Sequence, residues 1–150
     1  MPKETIIILD QDSNTQWTLK TLLESEGYMV IAANTIEAAL RSFSEFEISG
    51  LITEYWIGRS STLETIRRCK KAFPQAYVMM LTHGEMQEDT YAEVINAGAD
   101  DCFLKPLSIK KILLHLRKGL RKRLTLLQEQ KVQAGESISS QEKLSEVMSP

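Results

Sequence analysis

The stretch TIIILDQD, residues 5–12, joins an unbroken apolar run to a cluster of polar side chains. Such a run is typical of a strand that is buried on both faces of a parallel sheet, because a half-exposed strand alternates apolar and polar residues. Asp12 or Ser13 can cap a helix, and apolar residues at helical spacing follow to about Glu26. The stretch therefore predicts a strand followed by a helix, with polar residues at the carboxyl end of the strand.

Four further strand–helix pairs follow along the chain. The strands are predicted at 28–32, 50–53, 76–81 and 102–104, and the helices at 35–45, 61–72, 86–97 and from 108 onward. This alternation predicts an α/β fold with a doubly wound, five-stranded parallel sheet. The expected strand order is 2-1-3-4-5, with the switch point between the first and third strands.

Polar residues that are distant in sequence follow the strands of this predicted sheet. Ligands of doubly wound sheets bind at the carboxyl edge beside the switch point. The predicted topology brings together at that edge Asp10, Gln11, Asp12, Glu54, Thr82 and Lys105. Glu54 ends the apolar run of LITEYW, residues 51–56, and a buried carboxylate is costly unless another group pairs with it or uses it. We expect the candidate site at this edge.

Composition excludes several classes of protein. Apolar residues make up 43% of the chain and charged residues 25%, which is typical of a globular domain. No apolar run approaches the roughly 18 residues that span a bilayer, and the first ten residues do not resemble a signal peptide. Two cysteines, Cys69 and Cys102, are too few for a disulfide scaffold. We expect a cytoplasmic protein with reduced thiols and no membrane partner.

Five motifs, in order and at the family's spacing, make the chain resemble a response-regulator receiver domain of two-component, or phosphorelay, signalling. The resemblance covers roughly residues 4–122 and rests on ILDQD (8–12), EGYMVIAA (26–33), LITE (51–54), MMLT (79–82) and GADDCFLKP (98–106). It implies the flavodoxin-like receiver fold. In that family, acids after strand 1 and an aspartate after strand 3 bind Mg²⁺, and the aspartate takes a phosphoryl group from a histidine kinase. A Thr or Ser and a Lys contact the phosphoryl oxygens.

Part of this pattern is present in the chain. By resemblance, Asp10 stands at the first acid position, followed in the same pocket by Asp12. Thr82 and Lys105 stand at the two positions that contact the phosphoryl group. These residue types suit the implied chemistry, because Mg²⁺ prefers hard oxygen ligands and a transferring phosphoryl group needs cationic neighbours.

Three positions of the candidate site depart from the family pattern. Gln11 replaces the main metal-binding acid, Glu54 replaces the acceptor aspartate, and Cys102 replaces the switch aromatic residue. The carboxylate of Glu54 lies about 1.5 Å further out than that of an aspartate, and a misplacement of about 1 Å can cost on the order of 100-fold in rate. We therefore expect a pseudo-receiver, not an enzyme, without catalytic residues and with weak or no Mg²⁺ binding, for which Asp10, Asp12 and Glu54 are the candidate ligands.

Three interpretations of Glu54 stay open. Its carboxylate can pair with Lys105 and the Thr82 hydroxyl without metal, which is the interpretation that we favour. It can imitate a phospho-aspartate, although it carries one negative charge against nearly two. It can also still accept a phosphoryl group in an atypical receiver.

The C-terminal third differs in charge from the rest of the chain. Residues 1–104 carry 16 acids and 8 bases, whereas residues 105–150 carry 4 acids and 10 bases. We expect a receiver-like domain at 1–122, an extension of the final helix at 123–133 and a polar, disordered tail or linker at 134–150. Leucines continue at helical spacing beyond Lys118, where we expect no domain surface for them to cover.

The partners expected from the resemblance are a histidine kinase, an output domain or a second copy. A homodimer is expected through the face of helix 4, strand 5 and helix 5, or through the extended final helix. Nucleic-acid binding through the basic final helix is a further alternative. We disfavour it at this point because the basic residues are interpreted as spread around the helix and no known DNA-binding motif follows.

Overall fold

The computed structural model describes residues 3–106 and 108–148, with side chains described as far as residue 135. Strands and helices alternate along the chain, as the sequence predicts. The elements are β1 (Thr5–Leu9), α1 (Ser13–Ser25), β2 (Met29–Ala33), α2 (Ile36–Glu45), β3 (Gly50–Glu54), β4 (Trp56–Ile57), β5 (Ser60–Ser61), α3 (Leu63–Ala72), β6 (Tyr77–Thr82), α4 (Glu88–Ala97), β7 (Asp101–Leu104) and α5 (Ile109–Met148).

Five strands form one parallel sheet in the order β2-β1-β3-β6-β7. The predicted order 2-1-3-4-5 is confirmed, since β6 and β7 are the fourth and fifth strands of this sheet. The additional strands β4 and β5 form a separate antiparallel hairpin that was not predicted. Gly58, with φ of 63°, begins its two-residue loop, as in a type II′ turn.

The core consists of two layers, one on each face of the sheet. In β1, Ile7 and Leu9 pack toward α2, α3 and α4, whereas Ile6 and Ile8 pack toward α1 and α5. All four are fully buried. The unbroken apolar run of β1 follows from this arrangement, because helices cover the strand on both sides.

The final helix α5 packs on the sheet further than the sequence indicated. Leu120 and Arg123 are buried, with 4% and 7% of their surface exposed, although both lie beyond Lys118. Arg123 donates hydrogen bonds to Glu4 at 3.1 Å and to Glu47 at 3.2 Å. The expectation of a domain surface that ends near Lys118 is therefore wrong, because this pair of charge contacts joins the next helical turn to the domain.

Beyond this contact, α5 continues to Met148, whereas the sequence analysis expected a polar tail from residue 134. Between Leu124 and Met148, the residue types Glu, Gln, Lys and Leu recur, and all four are good helix formers. The side chains of residues 136–150 lie outside the description, so the division into domain, helix extension and tail stays a prediction. Among the helices that are described, none is both long and apolar enough to cross a membrane.

Gly119 lies in α5 at its closest approach to the sheet. A Cβ atom at this position would overlap the ring of Tyr77, the first residue of β6. The glycine therefore allows the helix backbone to contact an aromatic ring.

We predict that Gly119→Ala lowers the free energy of unfolding by roughly 1 to 3 kcal/mol, the usual cost of overpacking. Urea denaturation of the parent protein and of the Gly119→Ala variant measures the difference in free energy of unfolding. Gly135→Ala is the matched control, because a Cβ atom added to this helical glycine would have no neighbour within 4 Å. The control is expected to gain up to about 1 kcal/mol from helix propensity. Equal stability of Gly119→Ala and the parent protein would contradict the close packing.

Candidate functional site

The ammonium group of Lys105 lies between two carboxylates at the carboxyl edge of the sheet. Its Nζ is 2.6 Å from Oδ2 of Asp10 and 2.6 Å from Oε2 of Glu54. Lys105 follows β7, Asp10 follows β1, and Glu54 is the last residue of β3. The order of the strands in the sheet therefore brings the three residues together. The expected pairing of Glu54 with Lys105 is confirmed, and Asp10 completes a cluster of three charges.

This cluster is largely withdrawn from water. The exposed fractions of the Lys105, Asp10 and Glu54 side chains are 9%, 7% and 11%. Burial opposes the charge of Lys105, but the hydrogen bond to Asp10 and the negative charges of Asp10 and Glu54 outweigh it and raise the pKa of the ammonium group. Lys105 is therefore a cation under ordinary conditions.

The two carboxylates are not held in the same way. Asp10 accepts an aligned hydrogen bond from Lys105 and a second one, at 2.9 Å, from the Asp12 amide. The buried Oε2 of Glu54 has no aligned hydrogen bond from any group that the structure describes, so its 2.6 Å approach to Lys105 is a charge contact. The stability of the Glu54 carboxylate depends on this one cation.

Thr82 does not join the cluster through its hydroxyl group. The hydroxyl of Thr82 donates at 3.5 Å to the carbonyl of His83, and no hydrogen bond to Glu54 is present among the described groups. The Thr82 carbonyl instead accepts from the Lys105 amide at 2.7 Å. Thr82 therefore positions the backbone of Lys105, and the expected Thr82–Glu54 contact is absent from this arrangement. The assignment of Thr82 as a phosphoryl-contact position stays a prediction.

A glutamine that the sequence analysis missed supports Asp10. Nε2 of Gln16, on α1, donates to the Asp10 carbonyl at 2.5 Å and to the Ala33 carbonyl at 2.8 Å. It thereby ties the end of β1 to the end of β2. Nothing in the sequence indicated this role, because a glutamine on a helix is ordinarily a solvent-exposed residue.

Asp12 is the N-cap of α1. Its two carboxylate oxygens accept hydrogen bonds from the Asn14 amide at 3.0 Å and from the Thr15 hydroxyl at 2.8 Å. The Thr15 hydroxyl and the Asn14 amide lower the pKa of this exposed carboxyl group. The capping role, one of the two roles considered for Asp12, is therefore present.

The arrangement does not fit a magnesium ion. Mg²⁺ needs several oxygen ligands in near-octahedral geometry, whereas the space between Asp10 and Glu54 holds the Lys105 ammonium group. Asp12 is engaged at the helix terminus. Among the side chains that are described, no group of three acids, histidines or cysteines is placed to hold a metal ion.

Gln11 makes a contact that its position in the sequence did not predict. Its Oε1 accepts a hydrogen bond of 2.9 Å from the amide of Gly58, which is 47 residues away. Gly58 begins the loop of the β4–β5 hairpin. Gln11 therefore connects the end of β1 with the hairpin that follows β3.

The hairpin is anchored at its base by Thr62. The buried hydroxyl of Thr62 donates to the Glu54 carbonyl at 2.7 Å, and its amide donates to the Tyr55 carbonyl at 2.9 Å. The ring of Tyr55 makes an edge contact with Trp56, at a centroid distance of 5.0 Å. Trp56 is 55% exposed, so the hairpin presents an aromatic side chain next to the charge cluster.

Cys102 lies in β7 beside Met80 of β6. Its side chain is partly buried against the core layer that contains α3 and α4. Burial raises the pKa of the thiol, which favours the uncharged form. A small, uncharged side chain thus lies at this position of β7. That the position corresponds to the family's switch aromatic residue stays a prediction.

The model of the family described as "Response regulator receiver domain" matches residues 6–117. The chain is 29% identical over 121 residues to a protein named "Uncharacterized transcriptional regulatory protein YkoG" of Bacillus subtilis, covering 81% of the chain and 53% of that protein. It is 24% identical to the transcriptional regulatory protein CpxR of Klebsiella pneumoniae, covering 87% of the chain and 55% of CpxR. The chain thus spans about half the length of these two relatives.

A solved structure has the same fold. A CheY-like response regulator receiver domain protein from Methanospirillum hungatei superposes with a TM-score of 0.77 at 23% sequence identity. The superposition covers 83% of the present chain and 98% of that chain. At this identity the match concerns the fold alone.

We predict that Lys105→Met destabilises the protein by roughly 3 to 5 kcal/mol, because it leaves two buried carboxylates without a cation. Urea denaturation measures the loss. The triple variant Lys105→Met/Asp10→Asn/Glu54→Gln removes all three charges and should recover a large part of it. If the triple variant is no more stable than Lys105→Met, the cluster is not held by charge.

We predict that Gln11→Ala speeds hydrogen exchange of the hairpin amides, first of all that of Gly58, because the amide loses its acceptor. Hydrogen-exchange mass spectrometry or NMR measures the rates. Asn14→Ala, a change at an exposed residue of α1, is the control. Unchanged exchange at Gly58 in Gln11→Ala would show that the glutamine does not hold the hairpin.

Proposed function

Because the chain belongs to the response regulator receiver domain family, we propose that it is a receiver domain that acts through protein–protein contacts without being phosphorylated. The observation that carries the proposal is the Lys105 ammonium group at 2.6 Å from both Asp10 and Glu54. In this proposal the chain is not an enzyme, and its expected location is the cytoplasm.

The first argument concerns the nucleophile. A carboxylate that attacks a phosphoryl group needs a free oxygen and access to the donor. The Glu54 side chain is only 11% exposed, and its Oε2 lies against Lys105. The longer side chain of glutamate also moves the carboxylate away from the position of an aspartate, which supports a slow or absent transfer.

The second argument concerns the charge that the phosphoryl group would bring. A phosphoryl group adds nearly two negative charges, which must be neutralised in a partly dehydrated pocket. The one cation in the cluster already contacts two carboxylates. Gln11 adds no negative charge for a metal ion and is engaged with Gly58. The pocket therefore has little capacity for a further anion.

The same geometry favours a structural role for Glu54. Its carboxylate and that of Asp10 share Lys105, so the ends of β1, β3 and β7 stay together without metal. Imitation of a phospho-aspartate is less well supported, because the Thr82 hydroxyl does not contact Glu54. We propose that the cluster keeps this edge in one constant arrangement.

A protein contact on the face of α4, β7 and the start of α5 is supported by exposed apolar residues. Tyr91 and Ile95 of α4, Leu104 of β7 and Ile109 of α5 are between 37% and 50% exposed. A histidine kinase, an output domain or a second copy are the proposed partners. The aligned part of the chain spans only about half the length of these relatives, and any activity of a longer protein is part of the proposal.

We predict that the protein gains no phosphoryl group when it is incubated with acetyl phosphate and Mg²⁺, because Glu54 is paired with Lys105 and displaced from the aspartate position. Intact-mass spectrometry measures the product. The variant Gln11→Asp/Glu54→Asp, which restores the family's residues, is the matched control and should become labelled.

Labelling of the parent protein on Glu54 would overturn the proposal and would establish an atypical phosphorylated receiver. If neither protein is labelled while both are folded by circular dichroism, the two substitutions do not explain the missing transfer, and the argument from Gln11 and Glu54 fails.

A further inference from the structure

The outward face of α5 carries a band of positive charge. Successive residues on a helix are about 100° apart. The positions 1, 4, 8, 11 and 12 residues beyond Lys110 therefore lie within about 120° of it, on the same half of the helix surface. The exposed cations of this band are Lys110, Lys111, Lys118, Arg121 and Lys122. Between them lies Leu114, 63% exposed, while Ile112, Leu116 and Leu120 face the sheet. These five cations occupy one face of the helix, whereas Arg117 and Arg123 pair with acids of the domain. The first of the two reasons for which the sequence analysis disfavoured nucleic acid, the spread of the cations around the helix, therefore does not hold for the unpaired cations.

The charge of this basic face is not neutralised by the side chains that the structure describes. None of its five cations has an ion-pair partner among the described residues, and no acid occurs between Lys105 and Glu129. Asp100 and Asp101 line the cavity next to Lys118, but they contact Lys70 and the Tyr77 hydroxyl instead.

Like charges at these spacings repel each other. Lys118 and Lys122 are four residues apart on the helix, a spacing at which like charges are destabilising. A solvent-exposed helix usually interleaves acids and bases, which removes this repulsion. A bound polyanion would remove it as well. The geometry points to such a ligand, and we propose that the basic face of α5 binds the phosphate backbone of a nucleic-acid duplex without sequence preference.

The choice of a duplex follows from the side chains of the face. Its cations extend over about 18 Å of helix, and a duplex presents one phosphate charge per about 1.7 Å of its axis. No aromatic side chain lies on the basic face, so a single strand would find no surface for base stacking. Amide side chains that read base edges are also missing from positions 110–122.

Two other anionic partners are less well matched. An interfacial helix inserts a free apolar face into a membrane, but Ile112, Leu116 and Leu120 are buried on the sheet, which leaves Leu114 alone. An acidic protein surface would need acids at the spacing of the cations, whereas a duplex offers a continuous line of phosphates. Repulsion from the acidic part of the chain is screened over about 8 Å at physiological salt.

Fluorescence anisotropy tests the proposal with the full chain and two labelled 20-base-pair DNA duplexes of unrelated sequence, between 50 and 200 mM salt. The test variant is Lys118→Gln/Arg121→Gln/Lys122→Gln. The control variant is Lys3→Gln/Arg41→Gln/Lys71→Gln, which removes one arginine and two lysines at exposed positions elsewhere. Both variants have the same net charge, so a general charge effect would alter them equally.

We expect equal affinity for both duplexes and, for four or five phosphate contacts, a loss of affinity of roughly 150- to 500-fold across this salt range. The slope of log affinity against log salt for the test variant should correspond to about three fewer phosphate contacts. The control variant should bind like the parent. Phosphatidylserine vesicles and, separately, polyglutamate should compete poorly with the labelled duplex when each is added at the same concentration of charge.

The proposal is overturned if the parent does not bind duplex DNA at 50 mM salt or if the two variants lose affinity equally. It is also overturned if the vesicles or polyglutamate compete as well as unlabelled duplex, which would assign the face to a membrane or an acidic protein. The duplex-binding proposal concerns the surface of α5 and not Glu54. The outcome of the binding experiment is therefore independent of the outcome of the phosphorylation experiment.

Discussion

The contact of one ammonium group with two buried carboxylates is the constraint on which the candidate site depends. The sheet hydrogen bonds align β1, β3 and β7 along their lengths, but they do not determine how the polar residues beyond the strand ends are arranged. Lys105 does so, because its Nζ is 2.6 Å from oxygens of both Asp10 and Glu54. Removal of Lys105 would leave two carboxylates without a cation in a place with little access to water, whereas removal of either carboxylate would leave a one-to-one ion pair. Lys105 is therefore the member on which the other two depend.

The architecture could be predicted from the sequence because each of its main signals is local. The apolar run of β1 requires cover on both faces, and the alternation of strands and helices then leaves few topologies. The pairing of Glu54 with Lys105 followed from the same reasoning, because a carboxylate at a buried strand end needs a cation. Lys105 was the one cation that the predicted topology placed beside it.

Several contacts could not be predicted because they depend on distances that only the folded chain defines. Gln11 contacts an amide that is 47 residues away in sequence, and Arg123 contacts Glu4, which is 119 residues away. The strands of the β4–β5 hairpin have two residues each, too few for any periodic signal. The distribution of charge around α5 is a different case. The leucines at helical spacing already indicated which side of the helix faces the sheet, and the burial of Leu116 and Leu120 agrees with them. The pairing of Arg117 and Arg123 with acids, which separates them from the other cations, became clear only from the structure.

A receiver with such a site has a definite consequence for signalling. A ligand or modification shifts a conformational equilibrium only by the difference in its interaction energy with the two states. In the proposed function, Lys105 already satisfies the two carboxylates, and Gln11 and Thr62 hold the hairpin next to them. In this proposal, phosphorylation does not change the arrangement at this edge. A signal that passes through the domain then depends on the presence or absence of a partner, for which the exposed apolar residues of α4, β7 and the start of α5 offer a surface.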